Sequence, residues 1–547
     1  MTRSRGLWAL ALLATAVIAR AAELGPPTMA ERWLFIWSGV ENPKEVDRVI
    51  ERLPAAKAAG YNGVALPANV APERGAALRE AAAAAGMKIV AIVMGNPRDR
   101  NYMEGVEVKD ALFEVRDGNL RFVPDNPIKL RNTDFEEARG DQLAGWTMQD
   151  DPGVTTFVDR QVFHGGKASL RLENVGRNEH RHARVSQPLS LQPWRQYRVS
   201  FWVKTDGFQP VDADVKVLTA DASRSILFQT FGAERTQGWT RYDLVFNSLD
   251  NTDARLYVGS WWGDKGRIWF DDLSIEEIAL VNVLRRPGCP VTVRRDDGTP
   301  LAEGQDVGPV IDRQLHPWRA WHEPPVVKVL PTGRLREGDR VRLGYYHSLI
   351  VYQDRLNGCL SEPKIFDDWR DEVARVDALL HPAAFLMSHD EIRVANRCAL
   401  CRSLGMTAGE LLARNVRQAA AIIREARPDA GIWVWNDMFD PQHNAVDHYY
   451  AVNGSLAGSW KGLDPDVGIV NWHGGLEGKN CQFFADLGLR QILAGYYDGD
   501  SDGAAIRRWL ANTAGIKGIV GAMYTTWEDQ YGPMAAWAKA AWGDAGR

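Results

Sequence analysis

At 547 residues the chain is too long for one ordinary domain, so two or three are expected. Its 45% hydrophobic and 25% charged residues are ordinary for a globular protein. The formal net charge of -5 gives no electrostatic reason to expect a nucleic-acid partner. The 21 tryptophans are unusual, because a flat, amphipathic ring is suited to core packing and to stacking on ligand faces.

The chain begins with a charged start at Arg3 and Arg5, an apolar centre over residues 7–18 and a small-x-small site at Ala19-Arg20-Ala21. This pattern predicts a cleaved signal peptide over 1–21 and a secreted or periplasmic protein. No later apolar run is long enough to span a bilayer.

Residues 22–100 read as the first part of an α/β barrel. Strands are expected at 33–37, 61–66 and 87–94, separated by helices over 43–59 and 72–85. Gly60 and Gly86 suit the helix ends, and Pro43 and Pro72 the helix starts. Short links between strands and helices argue for parallel strands with helical crossovers.

The rhythm then breaks over residues 101–340, too long a stretch for a loop. Within its core, 132–277, apolar and polar residues alternate with period two and turn signals intervene, as in Ala168-Ser169-Leu170-Arg171-Leu172. That pattern predicts an antiparallel sandwich.

From 341 to 547 the barrel rhythm returns. Strands are expected at 385–387, 431–436, 467–472, 491–497 and 516–526, with helices at 365–380 and 407–426. Residues 341–347 make a ninth candidate, one more than an eight-stranded barrel needs. They belong either to the insert or to an irregular return to the barrel. The fold class expected is therefore α/β, a (β/α)8 TIM-type barrel interrupted by an inserted all-β jelly-roll sandwich.

In such barrels the chemistry collects where the strands end. Here the strand ends carry His389-Asp390-Glu391, Trp435 with Asp437, Trp472, Tyr496-Tyr497-Asp498, and Trp527-Glu528. Carboxylates bind hydroxyls and move protons, and aromatic rings stack on sugar faces. The plainer reading makes Asp390 and Glu391 helix caps or partners of Arg393 and Arg397. Five cysteines are too few for a disulfide scaffold. Cys398 and Cys401 form a C-x-x-C with no second pair nearby, so a disulfide between them, or one to Cys359, is favoured over zinc.

Two resemblances follow. Phe135-Glu136, His164 to Leu170, Tyr197 to Lys204, Gly238-Trp239-Thr240 and Asp271-Asp272-Leu273 resemble carbohydrate-binding modules of families 4 and 9. That resemblance implies a structural calcium near Glu136 and Asp272. Separately, the stretch from Phe385 to Tyr531 resembles glycoside hydrolase family 20, the β-N-acetylhexosaminidases, and Asp-Glu relatives such as family 123. Asp390-Glu391 matches the end of the family's His-x-Gly-Gly-Asp-Glu, with the glycines missing and the His adjacent.

The resemblance implies that Glu391 is general acid and base, while Asp390 orients a substrate acetamido nucleophile. With the strand-end placement of Asp437 and Trp472, it makes His389, Trp435, Asp437, Trp472, Tyr496, Tyr497, Asp498, Trp527 and Glu528 the expected substrate contacts. The expected protein is an exported glycosidase acting on carbohydrate, with no cofactor in catalysis. The alternatives are a two-carboxylate glycosidase on other sugars and a catalytically silent glycan-binding protein.

Overall fold

The computed structural model describes residues 29–543, apart from 38, 126, 151, 210–212, 320 and 353–355. The expected signal peptide lies outside the described residues. Eight strands close into a parallel barrel in chain order: β1 (Glu31–Phe35), β2 (Gly63–Pro67), β3 (Lys88–Val93), β4 (Ala384–Met387), β5 (Gly431–Trp435), β6 (Val467–Asn471), β7 (Gln491–Leu493) and β8 (Ile519–Tyr524). Closure is made by β1 against β8, with Leu34 opposite Tyr524.

The strands read as apolar runs because both of their faces are buried. One set of side chains fills the lumen: Trp33, Phe35, Ala65, Val90, Leu386, Trp433, Val470, Ile492 and Met523. The alternate set, including Leu34, Val64, Phe385, Val434 and Ile469, faces the outer layer. Trp33 and Trp433 meet edge to face at 5.2 Å. Glycine makes room for both rings. A Cβ on Gly468 would lie 2.2 Å from the Trp433 ring, and one on Gly63 would lie 2.7 Å from Trp33.

Eight α-helices are present among the described residues. Seven of them run outside the barrel: α1 (Pro43–Ala58), α2 (Pro72–Ala84), α3 (Pro363–Leu380), α4 (Ala408–Ala426), α5 (Glu477–Asp486), α6 (Ala504–Asn512) and α7 (Met534–Trp542). A short eighth helix, Ala399–Ser403, lies in the loop between β4 and α4. Thr407 and Glu410 close a capping box at the start of α4, so the strong helix begins where the sequence expects it. Between β5 and β6 the described residues hold 3-10 turns at Asp437–Phe439 and Ser459–Gly462 in place of an α-helix. The second turn packs on α4 by backbone approach: a Cβ on Gly462 would meet the Ala413 carbonyl at 2.3 Å.

The insertion has two nested parts. Its outer part is a six-stranded antiparallel sheet in which Val106–Arg116 pairs with Arg340–His347. The ninth strand candidate therefore belongs to the insert, and the barrel resumes at α3 rather than at residue 341. An apolar, aromatic run states that a strand is buried; it does not state which partner buries it. Inside this sheet's span lies a sandwich of two five-stranded sheets, one centred on Gln196–Gln209 and Lys265–Ile278, the other on Ala213–Thr219 and Asp253–Ser260. Its core is Leu170, Tyr197, Phe201, Val215, Leu256, Phe270 and their neighbours.

The two ends of the insertion meet at a neck beside the loop that follows β4. Met103 bridges Gly358, Glu104 N–H donates to the Asn357 carbonyl at 2.8 Å, and Cys359 N–H donates to the Tyr102 carbonyl at 2.9 Å.

Trp433→Ala opens a cavity in the lumen and is expected to lower the unfolding free energy by about 3–5 kcal/mol. Gly468→Ala, which overpacks the same ring, is expected to cost about 1–3 kcal/mol. Denaturant unfolding of both variants beside the unmodified chain checks the order.

Candidate active site at the barrel mouth

The site is built from the chain just past β4 and β5. Ser388 N–H still donates to the Val93 carbonyl, and the ladder ends there. The chain then turns, with Glu391 at φ 48°, a left-handed conformation that a non-glycine residue holds only when its surroundings fix it. Asp437 fixes this one. Its carboxylate accepts the Glu391 N–H at 2.8 Å, the Asn444 side-chain amide at 2.9 Å and the Trp472 indole N–H at 3.3 Å.

Asp437 is fully buried, and burial together with the charge of Asp390 pushes its pKa up to about 7. Asp390, past β4, and Asp437, past β5, are thus near enough to act on one another electrostatically. Asp390 and Glu391 are half-buried. The Glu391 carboxylate accepts from Arg393 at 2.6 Å. The Arg393 guanidinium lies 4.4 Å from the Tyr352 ring and 5.1 Å from the Tyr450 ring. Its N–H groups also donate to the Tyr352 carbonyl, and its backbone N–H to Asn357 in the neck. The sandwich reaches this wall, with Phe228 packing on Tyr352 at 4.2 Å.

An aromatic wall stands opposite. Tyr496, 55% exposed, stacks on Trp527 at 5.4 Å and 16°. Trp527 leans on Phe35 and Trp37, and Phe35 meets Trp435 edge to face at 6.0 Å. Glu528 is exposed and accepts from Tyr496 Oη at 3.5 Å. Asp498 turns inward and holds the end of β8: it accepts from the Thr526 hydroxyl, and from the Trp527 N–H at 2.8 Å.

The structure therefore brings Asp390, Glu391, Asp437, Trp472, Tyr496, Trp527 and Glu528 to one end of the barrel, with Trp435 in the floor of the lumen. Three expected contact residues do other work, Asp498 at the end of β8 and two more in the layer behind. His389 is 2% exposed and lies in the helix layer, where its Nε2 pairs with Asn415 of α4 at 2.9 Å and burial lowers its pKa to about 4. It anchors the loop from behind. Tyr497 is fully buried against Tyr524 and Trp537, with its hydroxyl accepting from Gly495 N–H. In a chain leaving a strand, neighbouring side chains point to opposite sides, so only one of Tyr496 and Tyr497 can face the mouth.

Sequence reading did not identify Tyr352, Tyr449 and Tyr450 as site residues, nor Trp37 as part of the wall. Tyr449 hydrogen-bonds Arg393, and burial and the charge of Asp437 raise its pKa. The adjacent pair Tyr449-Tyr450 in a loop without periodicity was the available signal. The plainer reading of Glu391 as a partner of Arg393 holds for its ground-state contact.

In the sandwich, Glu136 and Asp272 flank the turn at Gly165 and Gly166. Glu136 Oε1 accepts the N–H groups of Lys167 and Ala168, and Asp272 pairs with His164 Nδ1 at 2.6 Å. As placed, both carboxylates hold the turn. Trp262 is 64% exposed, while Trp261 is covered by Lys216 at 3.8 Å and Arg184 at 5.0 Å.

The family described as a carbohydrate binding domain, of the CBM4/9 type, matches residues 129–265. The chain therefore contains a carbohydrate-binding domain. Among solved structures, a CBM4 structure is 18% identical and covers 27% of this chain and 100% of its own, with TM-score 0.21. The CBM22-1 xylan-binding domain of Paenibacillus barcinonensis is also 18% identical, covering 27% and 92%, with TM-score 0.20. The tandem GH20 catalytic modules of the pneumococcal exo-beta-D-N-acetylglucosaminidase are 17% identical, covering 34% and 49%, with TM-score 0.22. Likenesses this partial carry no argument about chemistry. No curated protein matches the chain. Among the described residues, no helix is long and apolar enough to cross a membrane.

Asp437 keeps its proton to about pH 7 when folded and loses it near an ordinary carboxylate pKa of about 4 when unfolded. Between those values the folded state binds more protons, so its contribution to stability falls as pH rises through that window. Asp437→Asn is expected to flatten the fall, read from urea midpoints at intervals between pH 4 and pH 8.

Proposed function

We propose that the protein is a glycoside hydrolase on a TIM-type (β/α)8 barrel, exported through residues 1–21, that removes terminal β-linked N-acetylhexosamine. The observation that carries this reading is the meeting of Asp390, Glu391 and Asp437 opposite the Tyr496–Trp527 wall. The carbohydrate-binding domain whose Phe228 touches the same mouth supports it.

In this mechanism the substrate ring stacks on Trp527 and Tyr496, and Glu528 binds its hydroxyls. Asp390 orients the 2-acetamido group, whose carbonyl oxygen attacks the anomeric carbon. Glu391 gives a proton to the departing glycosidic oxygen. Water then opens the oxazolinium intermediate, with Glu391 accepting the water's proton. The retained anomer is released. Asp437 holds the Glu391 backbone in place throughout. In the unliganded arrangement Glu391 rests on Arg393, so it must swing off the arginine to reach the leaving group.

That ion pair favours a second reading, in which Asp390 and Asp437 are the two working carboxyl groups on other sugars. Asp437, pushed up to about 7, would then be the acid and Glu391 a fixed anion.

Release of aryl leaving group from 2-acetamido-2-deoxy-β-glucoside, its β-galactoside counterpart and plain β-glucoside separates the two. Under the first reading only the acetamido sugars turn over, and Asp390→Asn and Glu391→Gln each lower kcat/KM by about 100-fold or more. Turnover of the plain glucoside that survives Glu391→Gln supports the second. No turnover of any aryl glycoside, with glycan binding kept in Glu391→Gln, would leave a binding protein. Trp527→Ala is expected to raise KM about tenfold with kcat little changed, from loss of a stacking face.

A further inference from the structure

The cysteines that the mechanism does not use converge. Cys359 Sγ lies 3.6 Å from Cys398 Sγ and 3.5 Å from Cys401 Sγ, and Cys401 Sγ lies 3.9 Å from Glu104 Oε2. One ligand atom from each of the four residues falls within 4.8 Å of the others, and all four residues are buried. The three thiols are mutually close, which a disulfide does not require. A disulfide joins two sulfurs at about 2.05 Å and leaves the third thiol and the carboxylate outside the bond.

Four such atoms around one zinc ion would stand about 3.5–3.8 Å apart, from Zn–S of about 2.3 Å, Zn–O of about 2.0 Å and tetrahedral angles. The Cys359–Cys398, Cys359–Cys401 and Cys401–Glu104 edges, at 3.6, 3.5 and 3.9 Å, lie close to that range. We propose that Cys359, Cys398, Cys401 and Glu104 form a closed tetrahedral site for zinc, a structural centre at the neck of the insertion.

The surroundings are those of such a centre. Cys398 Sγ accepts the Cys401 N–H at 3.4 Å, a donor that steadies a thiolate across a C-x-x-C turn. Glu104 Oε1 accepts the Arg397 and Cys398 N–H groups, both at 2.8 Å, which leaves Oε2 aimed at the sulfurs. Arg286 lies beside the cluster, held on Glu362 at 2.5 Å and on the Met103 carbonyl, and its charge also acts on Glu104 and the thiols.

The ligands come from three segments that have no covalent reason to stay together. Glu104 leads into the insertion, Cys359 leads out of it, and Cys398 and Cys401 follow the Asp390–Glu391 turn. An ion here would pin both roots of the insertion to the loop that carries the carboxylates.

The test uses the full chain purified without chelator. About one zinc per chain by elemental mass spectrometry is expected. All five cysteines should titrate as free thiols after denaturation in chelator without reductant. Replacing zinc by Co2+ should give thiolate-to-cobalt charge-transfer absorption and the visible bands of a tetrahedral centre. Cys401→Ser and Glu104→Gln should lose most of the metal, while Cys481→Ser, remote from the cluster, should keep it. The proposal is overturned if the protein, after growth with added zinc and after reduction and reloading, holds no stoichiometric metal. A chain lighter by two hydrogens, with three titratable thiols out of five cysteines, would overturn it in favour of a disulfide.

Discussion

The site depends on how the insertion is tied to the barrel. Residues 102–104 and 357–359 run side by side, joined by the Met103–Gly358 bridge and by hydrogen bonds of Glu104 and Cys359. From this neck, Asn357 accepts the Arg393 N–H at 3.0 Å, and Glu104 accepts the N–H groups of Arg397 and Cys398. The loop after β4 is therefore held from outside the barrel as well as by its strand. A loop that carries two carboxylates at a left-handed turn needs such support, because each ordered residue costs conformational entropy and the turn itself is strained.

Barrel and mouth are stabilised by different physics. In the lumen, large rings and glycines interlock, as in Trp33 with Gly63 and Trp433 with Gly468, and the contacts are apolar. Above it, Asp390, Glu391 and Asp437 place like charges close together, with Arg393 as the paired cation. Apolar packing is insensitive to pH, whereas clustered carboxylates are not. The lumen thus supplies the rigidity that lets an electrostatically unfavourable group persist at its rim. The Asn444 and Trp472 donors to Asp437 show the local compensation.

Much of this was legible along the chain. The apolar runs, the Gly60 and Gly86 helix ends and the helical spacing from Thr407 identify strands and helices because each signal is local. The crowding of carboxylates and aromatics at strand ends was legible for the same reason. Less legible was the side to which each neighbour turns. His389 sits against Asn415 while Asp390 acts electrostatically on Asp437, and Tyr497 is core while Tyr496 is exposed. One residue of rotation at a strand end decides between lumen and helix layer, and composition carries no trace of it.

Sequence alone determined the kinds of element, the existence of a long β-rich insertion and the residue types available for chemistry, because periodicity and turn preference act over a few neighbours. Tertiary structure decided the rest. It assigned Arg340–His347 to the insert by giving it Val106–Arg116 as a partner. It set Arg393 between Tyr352 and Tyr450, and it gathered Glu104, Cys359, Cys398 and Cys401 into one buried cluster. These groups are far apart along the chain. Their meeting is fixed by barrel closure and by the return of the insertion to its neck, which no local pattern encodes.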